Sequence, residues 1–173
     1  MFSSDEIIWV PLQETDIDEV ARIAEEIHPT LPERVEVFAE KARLFPHGCF
    51  KLECDGNMMG YALSHPWKLY AIPPLNEFLR ELPANADCIY LHDVAVLPPA
   101  RGRGAAGIFI DRITAVARRM HVFHLACVSV YGTDALWSRF GFRIVTFDDI
   151  SAKLASYGDS AKYMVADAGI RSA

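Results

Sequence analysis

Two adjacent prolines, Pro98 and Pro99, with Arg101-Gly102-Arg103-Gly104-Ala105-Ala106 close behind, constrain this chain more than any other stretch. The run from Ile89 to Leu97 before them is apolar and rich in β-branched residues, the pattern of a buried central strand. The prolines must end it, because proline offers no N–H to a ladder and restricts the residue before it. After the glycines an apolar stripe recurs at helical spacing through Ala106, Phe109, Ile110, Ile113, Val116 and Met120. The whole of Cys88 to Met120 therefore reads as strand, tight turn and helix. The glycines serve turn geometry, or they also admit an anion, since free N–H groups and the helix dipole meet at such a junction.

The loop is not a Walker A sequence, which ends in Gly-Lys-Ser/Thr, and the later acidic residue of the dinucleotide fingerprint is missing. Its spacing, Arg101-x-x-Gly104-x-Ala106 after Val94-Ala95-Val96-Leu97-Pro98, resembles the pyrophosphate loop of the GNAT superfamily of acyl-CoA-dependent N-acyltransferases. A second motif of that superfamily is similar to Leu136-Trp137-x-x-Phe140-Gly141-Phe142, where Gly141 suits a helix C-cap that turns the chain into the next strand. The resemblance runs through the chain in order and is densest from Asp93 to Phe142. It implies an α/β fold of one domain over residues 1–173, with a twisted mixed sheet of about seven strands and helices on both faces. It also implies that two central parallel strands splay apart to hold the pantetheine arm.

By the same resemblance the donor is acetyl-CoA. Arg101, Gly102, Arg103, Gly104, Ala105 and Ala106 would cradle its diphosphate. The main chain of Val94, Ala95 and Val96 would meet the pantetheine. Trp137 stands where the family often has a tyrosine acid; an indole has no proton to give a thiolate, so its place is beside the pantetheine. Tyr131, after the strand Val122–Val130, is the candidate replacement; the alternatives are a core tyrosine and departure of coenzyme A as a thiolate without an enzyme acid. The implied reaction is direct attack of an amine on the thioester, with no acyl-enzyme: no cysteine sits in a Cys-His-Asp arrangement, and Ser129 lacks the setting of a hydrolase nucleophile.

For the base, His92 and Asp93 lie on the pivotal strand beside the loop. Being consecutive, they are expected on opposite faces of the sheet, so that only one serves the site. Asp93 is preferred as base or ammonium anchor, because an acid in an apolar strand is paired or functional. His92 is then a satisfied structural residue. His65 is placed to reach the same cleft, and Trp67 and Tyr70 either contact the substrate or form a satellite core.

Elsewhere the pattern predicts a first strand at Ile7–Leu12 and a helix capped by Thr15. A second helix begins around Thr30–Glu33, with Glu33 in a capping box. A hairpin joins Cys49–Cys54 to Met58–His65, and a short helix is read from Leu75, Phe78, Leu79 and Leu82. The net charge of −6 comes without a basic block, which argues against a nucleic-acid partner. No run approaches the ~20 apolar residues of a membrane span. Cys49, Cys54, Cys88 and Cys127 match no metal or redox spacing and read as buried thiols in a reducing cytoplasm, with no metal expected. The expected partner is a small-molecule amine, and a homodimer is common in folds of this kind.

Overall fold

The computed structural model describes residues 6–169. One sheet of seven strands runs in the order β1-β2-β3-β4-β5-β7-β6. In chain order these are β1 Ile7–Pro11, β2 Cys49–Cys54, β3 Asn57–Trp67, β4 Cys88–Val96, β5 His124–Ser129, β6 Arg143–Ile144 and β7 Lys162–Asp167. The longer helices are α1 Ile17–Ile27, α2 Val35–Leu44 and α3 Ala105–Arg119, with two short ones, α4 Asp134–Ser138 and α5 Ile150–Leu154. All neighbouring strands are antiparallel except β4 and β5, which the α3 crossover joins in parallel. Among the described residues, no helix is long and apolar enough to cross a membrane.

The mixed α/β sheet is the predicted one, and each face carries its own core. On one side α3 packs Phe109, Ile110, Ile113, Val116 and Ala117 against Trp9, Phe50, Leu52, Ile89, Leu91 and Leu125. Trp9 donates its indole N–H to the Ala105 carbonyl at 2.9 Å, fixing the start of α3 over β1. On the other side α1 and α2 bury Val20, Ile23, Ala24 and Phe38 against Tyr61, Leu63 and Ala95. A third cluster gathers Cys88, Tyr90, Ala126, Tyr163 and Val165, with Trp67, Leu69 and Ile72 packed on it.

Several local expectations change. Gln13, not Thr15, stands before the first helical turn, and its amide bonds Asp16 at 2.8 Å. The second helix starts at Val35, leaving Glu33 outside it. The helix read over Leu75–Leu82 is absent: Asn76 and Arg80 take positive φ, and side chains satisfy the segment's amides in place of helical carbonyls. Glu33 accepts the Asn76 amide at 2.9 Å, and Glu40 accepts those of Leu79 at 2.6 Å and Arg80 at 3.1 Å. Helical periodicity was real there, but carboxylates on the neighbouring segment outcompete the helix for the backbone.

Candidate active site

β4 and β5 pair only from Ile89–Leu91 to Leu125–Cys127, although β4 continues to Val96 and β5 to Ser129. Past that point the strands part, and the opening is a cavity of about 920 Å³. One wall is Leu91 to Val96; the facing wall is Cys127, Val128, Val130 and Tyr131. Gly102, Gly104, Ala105, Ala106 and Gly107 close one end, joined by Trp137, Arg139 and Phe140 from α4 and the turn after it.

That end is built to take an anion. The Ile108 amide is bonded back to the Gly104 carbonyl at 3.1 Å, so the amides ahead of it in the first turn lack intrahelical partners. Gly104, the N-cap of α3, has φ 78°, and Gly102 has φ 77°. Both need the left-handed region, and the space beside each is open to 4 Å. Small residues, free amides and parted strand edges fit the diphosphate and pantetheine of coenzyme A. Arg101 lines this end and donates Nε to the Val96 carbonyl at 2.9 Å. Arg103 does not line the cavity; its guanidinium reaches Cys54 Sγ at 3.6 Å, so only its main chain belongs to the loop. Trp137 is buried, packs on Phe142 and lines the cavity.

The other end lies under α1 and α2, and here the two adjacent side chains depart from simple alternation. The β3–β4 register slips between Leu63 and Ser64: Leu63 faces Asp93 while Ser64 faces Leu91, leaving His92 as the extra residue of a bulge. A bulge restarts the alternation, so His92 and Asp93 both turn toward the helical side. Their surroundings differ sharply. His92 has no exposed side-chain surface, and its Nε2 donates to Glu33 at 2.9 Å. Asp93 stays 11% exposed, accepting from Tyr61 Oη at 2.6 Å and from His28 Nε2 at 3.0 Å, with His28 itself 14% exposed.

The electrostatics follow from this pairing. Burial pushes the Glu33 carboxyl up, but the charge and hydrogen bond of His92, the Asn76 amide and the Lys41 ammonium outweigh it and bring the pKa to about 2. Burial disfavours charge on His28; the hydrogen bond and charge of Asp93, with Glu33 behind it, override this and raise the imidazole's pKa. Burial lowers the pKa of Lys41, which is fully enclosed, against the pull of Glu33, Glu40 and Asp93. Burial first, then the Asp93 charge, pushes the Tyr61 phenol well up, so it remains a donor.

The three residues assigned to the substrate lie elsewhere: His65, Trp67 and Tyr70 do not line the cavity. His65 is fully buried among the rings of Trp67, Tyr90 and His92, and burial pulls its pKa down to about 3. Trp67 joins the third cluster, and Tyr70 packs on Phe147 and Tyr163 at the surface. The satellite core is the alternative that holds. Tyr131 does line the cavity; its ring lies parallel to His28 at 5.7 Å between centroids and its hydroxyl meets Thr30 Oγ1 at 2.8 Å. Sequence reasoning missed His28, Glu33 and Tyr157 as cavity residues. His28 directly follows an apolar helical stripe, and Glu33 was absorbed by its capping role. Tyr157, which donates to the Pro73 carbonyl, carries no local signal. Among the described residues, no group of three or more His, Cys, Asp or Glu side chains could hold a metal ion.

Comparison with known proteins agrees with this geometry. The fold is similar to GphF, a GNAT-like decarboxylase in complex with isobutyryl-CoA, at TM-score 0.76 and 15% identity, covering 94% of this chain and 100% of that one. It is also similar to Ard1 from Thermoplasma volcanium, at TM-score 0.68 and 15% identity, with 93% and 97% covered. A third similar structure is N-acetylglutamate synthase from Neisseria gonorrhoeae with coenzyme A and N-acetyl-glutamate, at TM-score 0.67 and 21% identity, covering 95% of this chain but 36% of that one. No curated protein matches the chain in sequence. The model of the acetyltransferase (GNAT) family matches residues 15–142, most of the chain and both of its motifs. The chain belongs to the GNAT family.

Proposed function

We propose that this protein transfers an acetyl group from acetyl-CoA to the amine of a small molecule. The observation that carries this reading is the parting of β4 and β5 directly above the free amides of α3. A thioester arm laid in that opening can pair with exposed main chain along Val94 to Val96 while its diphosphate rests on the loop from Arg101 to Ala106. Coenzyme A supplies the activated acyl group; the protein orients it and moves protons. Holding amine and thioester together can supply ~7–11 kcal/mol in favourable cases.

Asp93 is the accessible carboxylate at the far end, and it anchors the incoming ammonium. Its two oxygens already accept from Tyr61 and His28, which fixes its orientation. His92, enclosed against Glu33, braces the bulge that presents Asp93. Tyr131, just beyond β5, protonates the departing thiolate. Enclosed surroundings favour an apolar small amine, since Ile27, Leu31 and Leu75 form the rest of that wall. The four cysteines are unpaired, which supports a cytoplasmic setting.

The test measures free thiol release against a panel of amines, with acetyl-CoA affinity determined alongside by calorimetry. Turnover on a small amine is the expected result. Tight binding with no release on any amine would mean a non-catalytic acyl-CoA-binding module, and acetylation of peptide N-termini alone would make the acceptor a protein.

A further inference from the structure

The proton-handling groups at the acceptor end include one that neither motif contains. We infer that His28 is a further catalytic residue, which takes the proton released by the amine while Asp93 holds the imidazole in place. This deepens the acyl-transfer reading and rests on it.

The argument is geometric. His28 caps the C-terminus of α1, its amide bonded to the Ala24 carbonyl at 2.7 Å, and it lines the cavity. One edge meets Asp93 on β4, and one face stacks on Tyr131 just beyond β5. The ring therefore sits between the two strands that separate. A carboxylate only accepts, so the Nε2 contact at 3.0 Å places a proton on Nε2, and the second site on the ring is Nδ1. Nδ1 is buried and has no hydrogen-bond partner. An imidazole held at one nitrogen by a fixed carboxylate, with the other nitrogen uncommitted, is the arrangement that orients a general base. Tyr61 completes it by donating to the second Asp93 oxygen at 2.6 Å. His92 likewise has a carboxylate partner and an unpartnered Nδ1, but its side chain is wholly enclosed, whereas that of His28 keeps 14% exposure at the cavity.

The step balances without another reactant. As the amine nitrogen bonds to the thioester carbonyl carbon, the carbon–sulfur bond breaks and its electron pair leaves with sulfur. The proton shed by nitrogen passes to His28 Nδ1, and the thiolate gains its own proton from Tyr131 or solvent. The groups that face His28 are Asp93 on β4, Glu33 between α1 and α2, and the Tyr131 phenol. Tyr61 on β3 and Lys41 on α2 act on it through Asp93. The pair raises the pKa of His28, so the neutral, proton-accepting form becomes dominant only above the ordinary imidazole range.

Two measurements decide the matter. In the free protein, the ¹⁵N resonances of His28 should titrate above the ordinary imidazole value, and Asp93→Asn should lower that midpoint. In turnover with acetyl-CoA, His28→Ala should lower kcat by about 10²-fold. Acetyl-CoA affinity should stay unchanged, the acid limb of the pH profile should disappear, and added imidazole should restore part of the rate. Unchanged kcat in a folded His28→Ala protein, or an acid limb that persists, would overturn the assignment. Loss of rate without imidazole rescue, shared by His28→Gln, would mean a structural role and overturn it too. Should the wild-type protein bind acetyl-CoA but acetylate no amine, the acetyltransferase reading fails and this role with it; the titration separately reports whether the His28–Asp93 pair exists.

Discussion

Single residues at this site act through backbone conformation and through enclosure. Gly104 holds φ 78° at the N-cap of α3, in open space, so the demand for glycine there is conformational. Gly104→Asp adds left-handed strain and sets a negative charge where the helix dipole and free amides favour an anion. Calorimetry should show acetyl-CoA binding at least about tenfold weaker in this variant, with the fold retained by circular dichroism. Glu33 teaches the opposite lesson. It is 3% exposed and paired with a wholly enclosed imidazole. Glu33→Ala would leave the His92 Nε2–H and the Asn76 amide without their acceptor in the interior, a loss of about 1–3 kcal/mol for each donor in urea unfolding. The need for glycine at 104 was legible in the sequence. The partnership of Glu33 was not, because its local context explains it equally well as a helix cap.

At the scale of elements, the site depends on irregularities in otherwise regular strands. The β4 bulge puts His92 and Asp93 on the same side of the sheet, where strict alternation would have separated them. A one-residue slip leaves no mark in composition: the apolar run around it looks the same with or without the extra residue. The α3 N-terminus is positioned in turn by Trp9, whose indole reaches across from β1 to the Ala105 carbonyl. Trp9 is 1% exposed and packs on Phe109, so Trp9→Phe loses a buried hydrogen bond and some volume together. Thermal or urea unfolding should show a loss of about 2 kcal/mol. Acetyl-CoA affinity should fall as well, because the same contact aligns the anion-binding turn; unchanged affinity would separate the two functions of that contact.

Across the whole molecule, enclosed titratable groups tie stability to pH. His65 is neutral in the fold, with its pKa pulled to about 3 from 6.5. The unfolded chain therefore binds a proton that the folded one refuses between those values, and stability is lost as pH falls from about 6.5 toward 3. Glu33, lowered from 4.5 to about 2, adds stability that is present above 4.5 and lost as pH falls toward 2. His28 has the opposite slope, its raised pKa favouring the fold below 6.5 and losing that advantage as pH rises. On the alkaline side burial lifts the Cys49 and Cys88 thiols to about 12, so ionisation in the unfolded chain erodes stability above about 9. Melting temperature should thus decline steadily from pH 6.5 to 3, and His65→Phe should flatten the upper part of that decline. An unaltered slope in that variant would show that other groups dominate acid unfolding.

The sequence alone determined the parts whose information is local. Strand, proline stop, glycine turn and helix follow from propensity and backbone chemistry within Cys88 to Met120, and with the Phe140-Gly141-Phe142 ending they led to the family. Only tertiary structure decided what stands opposite Asp93. His28 lies 65 positions earlier, and Tyr61 reaches it from another strand. Their meeting depends on the packing of α1 over β3 and β4 and on one extra residue in a ladder. Periodicity records which face of an element is buried; it does not record which polar groups on two buried faces will meet.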